Sequence, residues 1–308
     1  MKNYILLTAA VLGGAASSAL GCDICALYSA AEANGEAGKG FYAGLAQQYT
    51  DISTLQFNGD EIPNSDHEYI HSSVTQIFGG YNFSRRFGVQ INLPLIARSY
   101  GWTGFHGSDF GPGDLSITAN FTPVVKQTGK VLFSWTLLGG VKLPTGDTSW
   151  LGPRGASLTA LGIGGHDLTL GSGSVDGIVG TSFSFRRERL FFNAGLQYAL
   201  RTEGDYNHRF ANDLTWGGGP GMFLLLDDRY TLAVQAVVSG EAKGMDTQSG
   251  IKDPDSAETI VYVGPQINFT WSTHLSAQAG VDVPVSIANS ETQAVPDIRV
   301  RGAVTWRF

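Results

Sequence analysis

The stretch that most restricts how this chain can fold is its end, residues 297–308. Read with a period of two, Ile298, Val300, Gly302, Val304, Trp306 and Phe308 share one face, while Asp297, Arg299, Arg301, Ala303, Thr305 and Arg307 share the other. Strict alternation over that length predicts a β-strand with one apolar and one polar side. An edge strand of a soluble sandwich is one home for it, but three arginines on one side and terminal aromatics on the other fit an outer-membrane barrel better. There the apolar side meets lipid, the polar side lines the lumen, and Trp306 and Phe308 belong to an interfacial aromatic girdle.

Segments of the same kind recur along the chain. Strands are predicted over 41–52, 69–84, 87–100, 113–126, 130–143, 174–186, 190–202, 212–226, 230–242, 257–271, 274–288 and 297–308. That is about twelve, an even number, as single-chain bacterial barrels require. The connections alternate too. Ser84-Arg85-Arg86, Gln127-Thr128-Gly129, Arg187-Glu188-Arg189, Asp227-Asp228-Arg229 and Ser272-Thr273 are tight and polar, and every intervening connection is longer. Short turns at one end and long loops at the other are the mark of an up-and-down transmembrane barrel, and a soluble sandwich gives no reason for them. The first two strands sort their faces least cleanly, because Gln47, Gln48 and Gln76 blur both sides.

Composition agrees with an all-β membrane barrel. Charged residues make up only 15% of the chain, glycine is abundant at 41 residues, and aromatics reach 11%. After the first twenty residues no apolar run is long enough for a membrane helix. A net charge of -7, with no basic patch interleaved with aromatics, argues against nucleic acid as a partner. Residues 1–21, with Lys2 ahead of an apolar, small-residue stretch, are expected to be a secretory signal peptide. Residues 22–40 then form a periplasmic arm, and 41–308 the barrel. The arm holds the only cysteines, Cys22 and Cys25, as a lone C-x-x-C. A local disulfide, capture of a soft metal such as Cu(I) or zinc, and lipid attachment at Cys22 are all open to it. For acylation, Ala19 stands where the pattern wants leucine. No other cofactor is expected.

The segment Gly113-Asp114-Leu115, followed after a hairpin by Lys142-Leu143-Pro144-Thr145-Gly146-Asp147, resembles a known family. These motifs are similar to those of the outer-membrane transporter-like barrels named after the meta-pathway of phenol degradation. The resemblance implies a bacterial outer-membrane barrel passing aromatic or other small hydrophobic solutes inward, and it supplies no binding-residue set. Pro144 to Asp147 are expected to end a strand, since Pro cannot donate to the ladder. The chain's ending also resembles the C-terminal aromatic signal read by the bacterial barrel-assembly machinery, although Thr305 and Arg307 stand where many members carry aromatics.

No nucleophile elbow, zinc helix, P-loop or dinucleotide fingerprint is present. His71, His106, His166, His208 and His274 lie in or near loops or strand ends without a recognisable acid and serine, so no catalytic residues are assigned. Function is expected in the lumen and in the longest loop. Arg98, Lys142, Arg186, Arg201, Arg299 and Arg301 should point inward, with Asp176, Glu241 and Asp282 as partners, because a charge facing lipid at mid-depth costs about 2–4 kcal/mol. Such charges could line a pore or knit a plugged interior. The loop between residues 145 and 173 is unusually apolar, and Trp150, Leu151, Leu158 and Leu161 are candidates for a constriction or a greasy docking point. The expectation is an outer-membrane channel with both termini in the periplasm. The alternative is a plugged structural barrel whose C-x-x-C arm binds metal or a periplasmic partner.

Overall fold

Twelve runs of period-two sequence become twelve long strands in a ring. A computed structural model describes residues 39–227 and 229–308, so the signal peptide expected at 1–21 and the cysteines of the expected arm lie outside the described residues. The strands are β1 (Gly40–Phe57), β2 (Tyr69–Ser84), β3 (Phe87–Trp102), β4 (Leu115–Thr128), β5 (Val131–Leu143), β6 (Asp176–Arg187), β7 (Leu190–Leu200), β8 (Asp213–Leu226), β9 (Tyr230–Lys243), β10 (Glu258–Trp271), β11 (Leu275–Asn289) and β12 (Thr292–Arg307). Each pairs antiparallel with the next. β12 returns to β1 in a ladder from Tyr42 opposite Arg307 to Phe57 opposite Thr292. Closure leaves the ring of twelve without an open edge.

The alternation sorts side chains as the ending of the chain predicts. In β12, Arg299, Arg301, Ala303, Thr305 and Arg307 are buried inside, whereas Val300, Val304 and Trp306 face outward. An exposed apolar side chain recurs in every strand, among them Leu45, Ile91, Leu137, Leu196, Ile267 and Val304. A belt of that extent has no aqueous solution as a monomer and needs acyl chains around it. At the short-turn end the belt meets interlocked aromatics. Phe41 lies 4.6 Å from Tyr81, Tyr81 5.0 Å from Phe83, and Trp271 6.2 Å from Trp306, ring centre to ring centre. The uncertain register of β1 and β2 resolves with Gln48 and Gln76 inside and Gln47 outside. Gln47 is satisfied there by donating to Ser73 Oγ at 2.7 Å.

Three departures from the expected pattern have local causes. The stretch before β4, Phe105–Pro112, is a strand pairing with Leu95–Trp102, so β3 continues into a hairpin where a loop was expected. β12 begins at Thr292 and only Ser290 and Glu291 join it to β11, so the alternation of short and long connections fails at this one place. Asp297, expected on the inner face with the arginines, sits at a bulge in the β1–β12 ladder. Its carboxylate accepts the backbone N–H groups of Ser53 and Thr54, at 2.8 and 3.2 Å, and both of their hydroxyls. A bulge frees one residue from the ladder, and here the freed backbone donors find a side-chain acceptor.

Candidate functional site

The two motif segments meet at the neck of the longest loop, 144–175. Asp114 occupies the break between the hairpin and β4, and Lys142 is the last inward-facing residue of β5. Lys142 Nζ lies 2.6 Å from Asp114 Oδ2 and 3.0 Å from Asp176 Oδ2. Arg201 Nη1, just past β7, reaches the same Asp176 oxygen at 2.9 Å. All four side chains are buried. Asp114 also accepts the N–H groups of Thr145, Gly146 and Ser172 at 3.0, 3.0 and 2.9 Å. The Thr145 hydroxyl donates to the Gly113 carbonyl and accepts the Leu115 N–H, both at 2.8 Å. The next motif residue closes the neck, because the Asp147 carbonyl accepts the N–H groups of Leu170 and Gly171 at 3.0 and 2.9 Å. That contact brings two backbones together, and a Cβ on Gly146 would stand 2.7 Å from Gly171 Cα.

Beyond the neck the loop folds over the mouth in short helical turns, Ser149–Leu151, Gly155–Ser157 and α1 (Gly165–Leu168). Trp150, Ile163 and Leu168 pack with Ile52 of β1, Ile70 of β2 and Tyr100 and Trp102 of β3 in one buried cluster. Leu158, Ala160 and Ala294 border it. Trp150 Nε1 donates to Asp109 Oδ2 at 2.7 Å, and the Arg154 guanidinium covers the Trp150 ring at 3.7 Å while pairing with Asp109 at 3.3 Å. Burial opposes ionisation of Asp109, but hydrogen bonds from Tyr100 and Trp150 and the charge of Arg154 hold its carboxyl below the ordinary range. Gly162 donates its N–H to Glu68 Oε2 at 2.9 Å, and its carbonyl accepts the N–H of Ala294 in β12 at 2.8 Å. The loop leaves the ring between β5 and β6 and is fastened to β12 and to the β1–β2 connection, half the ring away. It therefore spans the mouth.

Of the loop candidates, Trp150 and Leu151 are buried and Leu158 is half-buried against the cluster. Leu161 does not join them. Its side chain is 60% exposed, and only its backbone N–H is held, by Glu68.

The charged candidates are buried within the ring, apart from Arg186, which is half-buried. Asp282 of β11 is clamped by two arginines of β12, with Arg299 Nη2 at 2.8 Å and Arg301 Nε at 2.7 Å from Oδ2. Arg299 also donates to Ser239 Oγ at 3.0 Å and lies 4.1 Å over the Tyr262 ring. Arg98 is buried and donates to the carbonyl of Thr169 in the loop, and Glu241 is buried in β9. Arg186 sits half-buried near the turn end, with its guanidinium 5.1 Å over the Phe223 ring. Trp306 and Phe308 face outward.

The five histidines weighed for catalysis are dispersed. His71 pairs with Asp51 at 3.3 Å on the outer face, His106 contacts Tyr69, and His274 lies by the Trp306 ring. His208 Nδ1 is 3.0 Å from Gln248 Oε1, and His166 stands between Asp167 at 3.3 Å and Asp253 at 3.9 Å. Among the described residues no three His, Cys, Asp or Glu side chains are grouped to hold a metal ion. Sequence reasoning missed Glu68, Asp109 and Arg154, whose partners come from distant connections. It also missed part of an inner lining of amides that strand parity could have shown, including Asn193 and Gln197, and left Gln48 and Gln76 unassigned to a face.

No protein-family model matches this chain, and no curated protein matches it. Solved structures do. An outer membrane channel from Pseudomonas putida F1 superposes with a TM-score of 0.62 at 14% identity, over 88% of this chain and 96% of that one. The β domain of a Bordetella autotransporter gives 0.47 at 10% identity, over 87% and 99%. The P. putida toluene transporter TodX gives 0.37 at 11% identity, over 88% and 91%. At these identities the likeness is one of fold, and the fold is that of an outer-membrane β-barrel. It agrees with the twelve-stranded barrel expected from the period-two segments.

Proposed function

We propose that this chain is a passive outer-membrane channel or uptake protein for small solutes with an apolar, often aromatic, body, and that it is not an enzyme. The observation that carries the reading is the apolar cluster built across the mouth by Trp150, Ile163 and Leu168 with Ile52, Ile70, Tyr100 and Trp102. A loop that only capped the barrel would present polar groups to water on both sides. This one closes the mouth with a packed aromatic and aliphatic cluster, and a solute that passes must part it, which favours apolar molecules over hydrated ions. The channel from P. putida F1, which shares the fold, supports conduction.

Both described ends of the chain lie with the short turns, which in outer-membrane barrels face the periplasm. The arm carrying Cys22 and Cys25 then stands in the periplasm, where a disulfide or a thiolate pair for a soft metal are the chemistries open to it. Trp306 and Phe308 form the ending presented to the barrel-assembly machinery.

The test is single-channel recording in planar bilayers, with solute flux into liposomes, for the wild type and for a variant whose residues 148–168 are replaced by a Gly-Ser linker. Conductance that rises when the loop is replaced supports the reading. If neither protein conducts or passes solute, the channel reading fails and the plugged structural barrel stands in its place.

A further inference from the structure

The two rims of the barrel carry opposite charge. At the long-loop end the exposed charges are mostly carboxylates, among them Asp60, Glu61, Asp66, Glu203 and Glu291. At the short-turn end the connections β2–β3, β4–β5 and β6–β7 bring in Arg85, Arg86, Lys126, Lys130, Arg187 and Arg189, with Glu188 as the one carboxylate among them. All of these side chains are exposed. The other two short connections do not continue the pattern. Ser272-Thr273 is uncharged, and Asp227-Asp228-Arg229 is acidic on balance. The cations therefore form an arc over one side of the ring.

Adjacent turns are tied into one surface. The Arg86 carbonyl accepts the Thr122 N–H of β4 at 2.8 Å, and the Lys130 carbonyl accepts the Glu188 N–H at 3.2 Å. Lys130 Nζ reaches Glu188 Oε1 at 2.6 Å, and Arg189 Nη1 donates to the Leu224 carbonyl of β8 at 3.0 Å. Those two cations are occupied. Arg85, Arg86, Lys126 and Arg187 form no ion pair and no side-chain hydrogen bond among the described residues. The outward face beneath them is aromatic. Phe83 lies 5.6 Å from Phe87, ring centre to ring centre, on either side of Arg85 and Arg86 in the chain. Lys126 is opposite Phe133 and Arg187 is opposite Val131, and the Phe133 ring stacks 6.5 Å from Phe183 of the adjoining strand.

We infer that this arc is a docking surface for phospholipids with a net anionic headgroup. What covers it follows from where the apolar belt stops. Interfacial aromatics sit at headgroup depth, so the phosphates of the surrounding leaflet come to the level of these three turns. Four cations without partners at that level draw anionic lipid out of a mixed bilayer, because each basic side chain near a negative surface adds an attraction that decays within a Debye length. A zwitterionic headgroup offers the same phosphate but brings its own ammonium, and gains less. The acidic rim at the other end repels the same anionic lipid, so the charge match holds at the short-turn end alone. The inference goes beyond the channel reading and holds whether or not the lumen conducts. The proposed orientation adds only that the leaflet is the periplasmic one.

The experiment titrates the full-length refolded protein in detergent with phosphatidylglycerol or with phosphatidylcholine of the same acyl chains, and counts bound lipids by native mass spectrometry. The wild type is expected to hold phosphatidylglycerol about tenfold more tightly than phosphatidylcholine, a preference that shrinks as ionic strength rises. Arg85→Gln combined with Arg86→Gln, Lys126→Gln and Arg187→Gln should lose the preference and keep the phosphatidylcholine affinity. Arg229→Gln, outside the arc, should keep the preference. Equal binding of the two lipids by the wild type, a preference unchanged in the fourfold variant, or one lost equally in Arg229→Gln would overturn the inference. So would displacement of the bound phosphatidylglycerol by an equal concentration of glycerol 3-phosphate, since the surface would then take the free anion and not the lipid. The wild-type ranking decides even if the fourfold variant does not fold. A barrel that conducts but shows no lipid preference sinks the arc and spares the channel, whereas a lipid preference without conductance does the reverse.

Discussion

The Lys142 ammonium and the Asp114 carboxylate lie 2.6 Å apart with neither side chain exposed to solvent, and through them the barrel wall holds the neck of its own mouth loop. Lys142 also faces Asp176 at 3.0 Å, so it binds three pieces of chain that are remote in sequence. Replacing Lys142 with Met leaves two buried carboxylates with one cation, Arg201, between them. Breaking a buried pair from one side costs about 3–5 kcal/mol, most of it the penalty for the charge left behind. Urea unfolding in lipid vesicles, followed by tryptophan fluorescence, should show that loss for Lys142→Met. It should show a smaller one for the double variant Lys142→Met with Asp114→Asn. Losses that simply add would mean the two side chains are not coupled.

Trp150 is the anchor of the loop's apolar side. It is buried, hydrogen-bonded to Asp109 at 2.7 Å and covered by Arg154. Trp150→Ala removes one of the two tryptophans of the mouth cluster, a change that in a packed core costs about 3–5 kcal/mol. Because the loop is held at several other points, the barrel should remain folded while the loop loosens. The expected outcome is increased single-channel conductance with unchanged far-ultraviolet circular dichroism, and Leu161→Ala should leave conductance as it was.

The lipid face gives a prediction of opposite character. Val304 and Arg301 lie three residues apart on β12 and face opposite ways, one exposed and one buried. Val304→Arg places a guanidinium against acyl chains and should destabilise the barrel by up to about 2–4 kcal/mol, less the nearer the position lies to the interface. Equilibrium unfolding in vesicles measures it. A neutral result at Val304 would mean that this face does not meet lipid.

What could be read in advance follows from which forces write a pattern into sequence. Lipid on one side and a polar interior on the other impose period two, so the inward course of Arg299 and Arg301 and the outward course of Val300 and Val304 were legible. The hairpin strand Phe105–Pro112 pairs only with the outer part of β3 and meets no continuous apolar surroundings, so its glycines and polar residues carry no period and read as a loop. The start of β12 was hidden by Pro296 and by the bulge at Asp297, which shift the phase of the alternation. The apolar character of the mouth loop was visible, but its docking place was not. Ile52, Ile70, Tyr100 and Ala294 come from separate strands, and nothing local in any of them announces the others. Gln48 and Gln76 were obscured because Gln47 faces lipid with a partner of its own, Ser73, against the general rule for that face.

The loop between β9 and β10 should respond to pH through Asp253 and Asp255. Burial, then a hydrogen bond shared with Asp255, raise the Asp253 carboxyl from an ordinary 3.8 to about 6, with His166 working in the other direction. Asp255 is lowered in return, so the two hold one proton between them. A carboxyl that binds its proton more tightly when folded adds stability below its unfolded value, and that contribution is lost as pH rises through the folded value. The window therefore runs from pH 3.8 to about 6, and acid favours the packed loop. Both groups are partly exposed, so solvent screening reduces the effect to about 1 kcal/mol. Asp253→Asn mimics the protonated form at every pH. The difference in thermal stability between wild type and Asp253→Asn should be small at pH 4 and should grow in the variant's favour by pH 7. Asp255→Asn should shrink the growth by releasing Asp253 to a lower value. A difference that stays constant from pH 4 to 7 would show that the pair does not share a proton in the folded barrel.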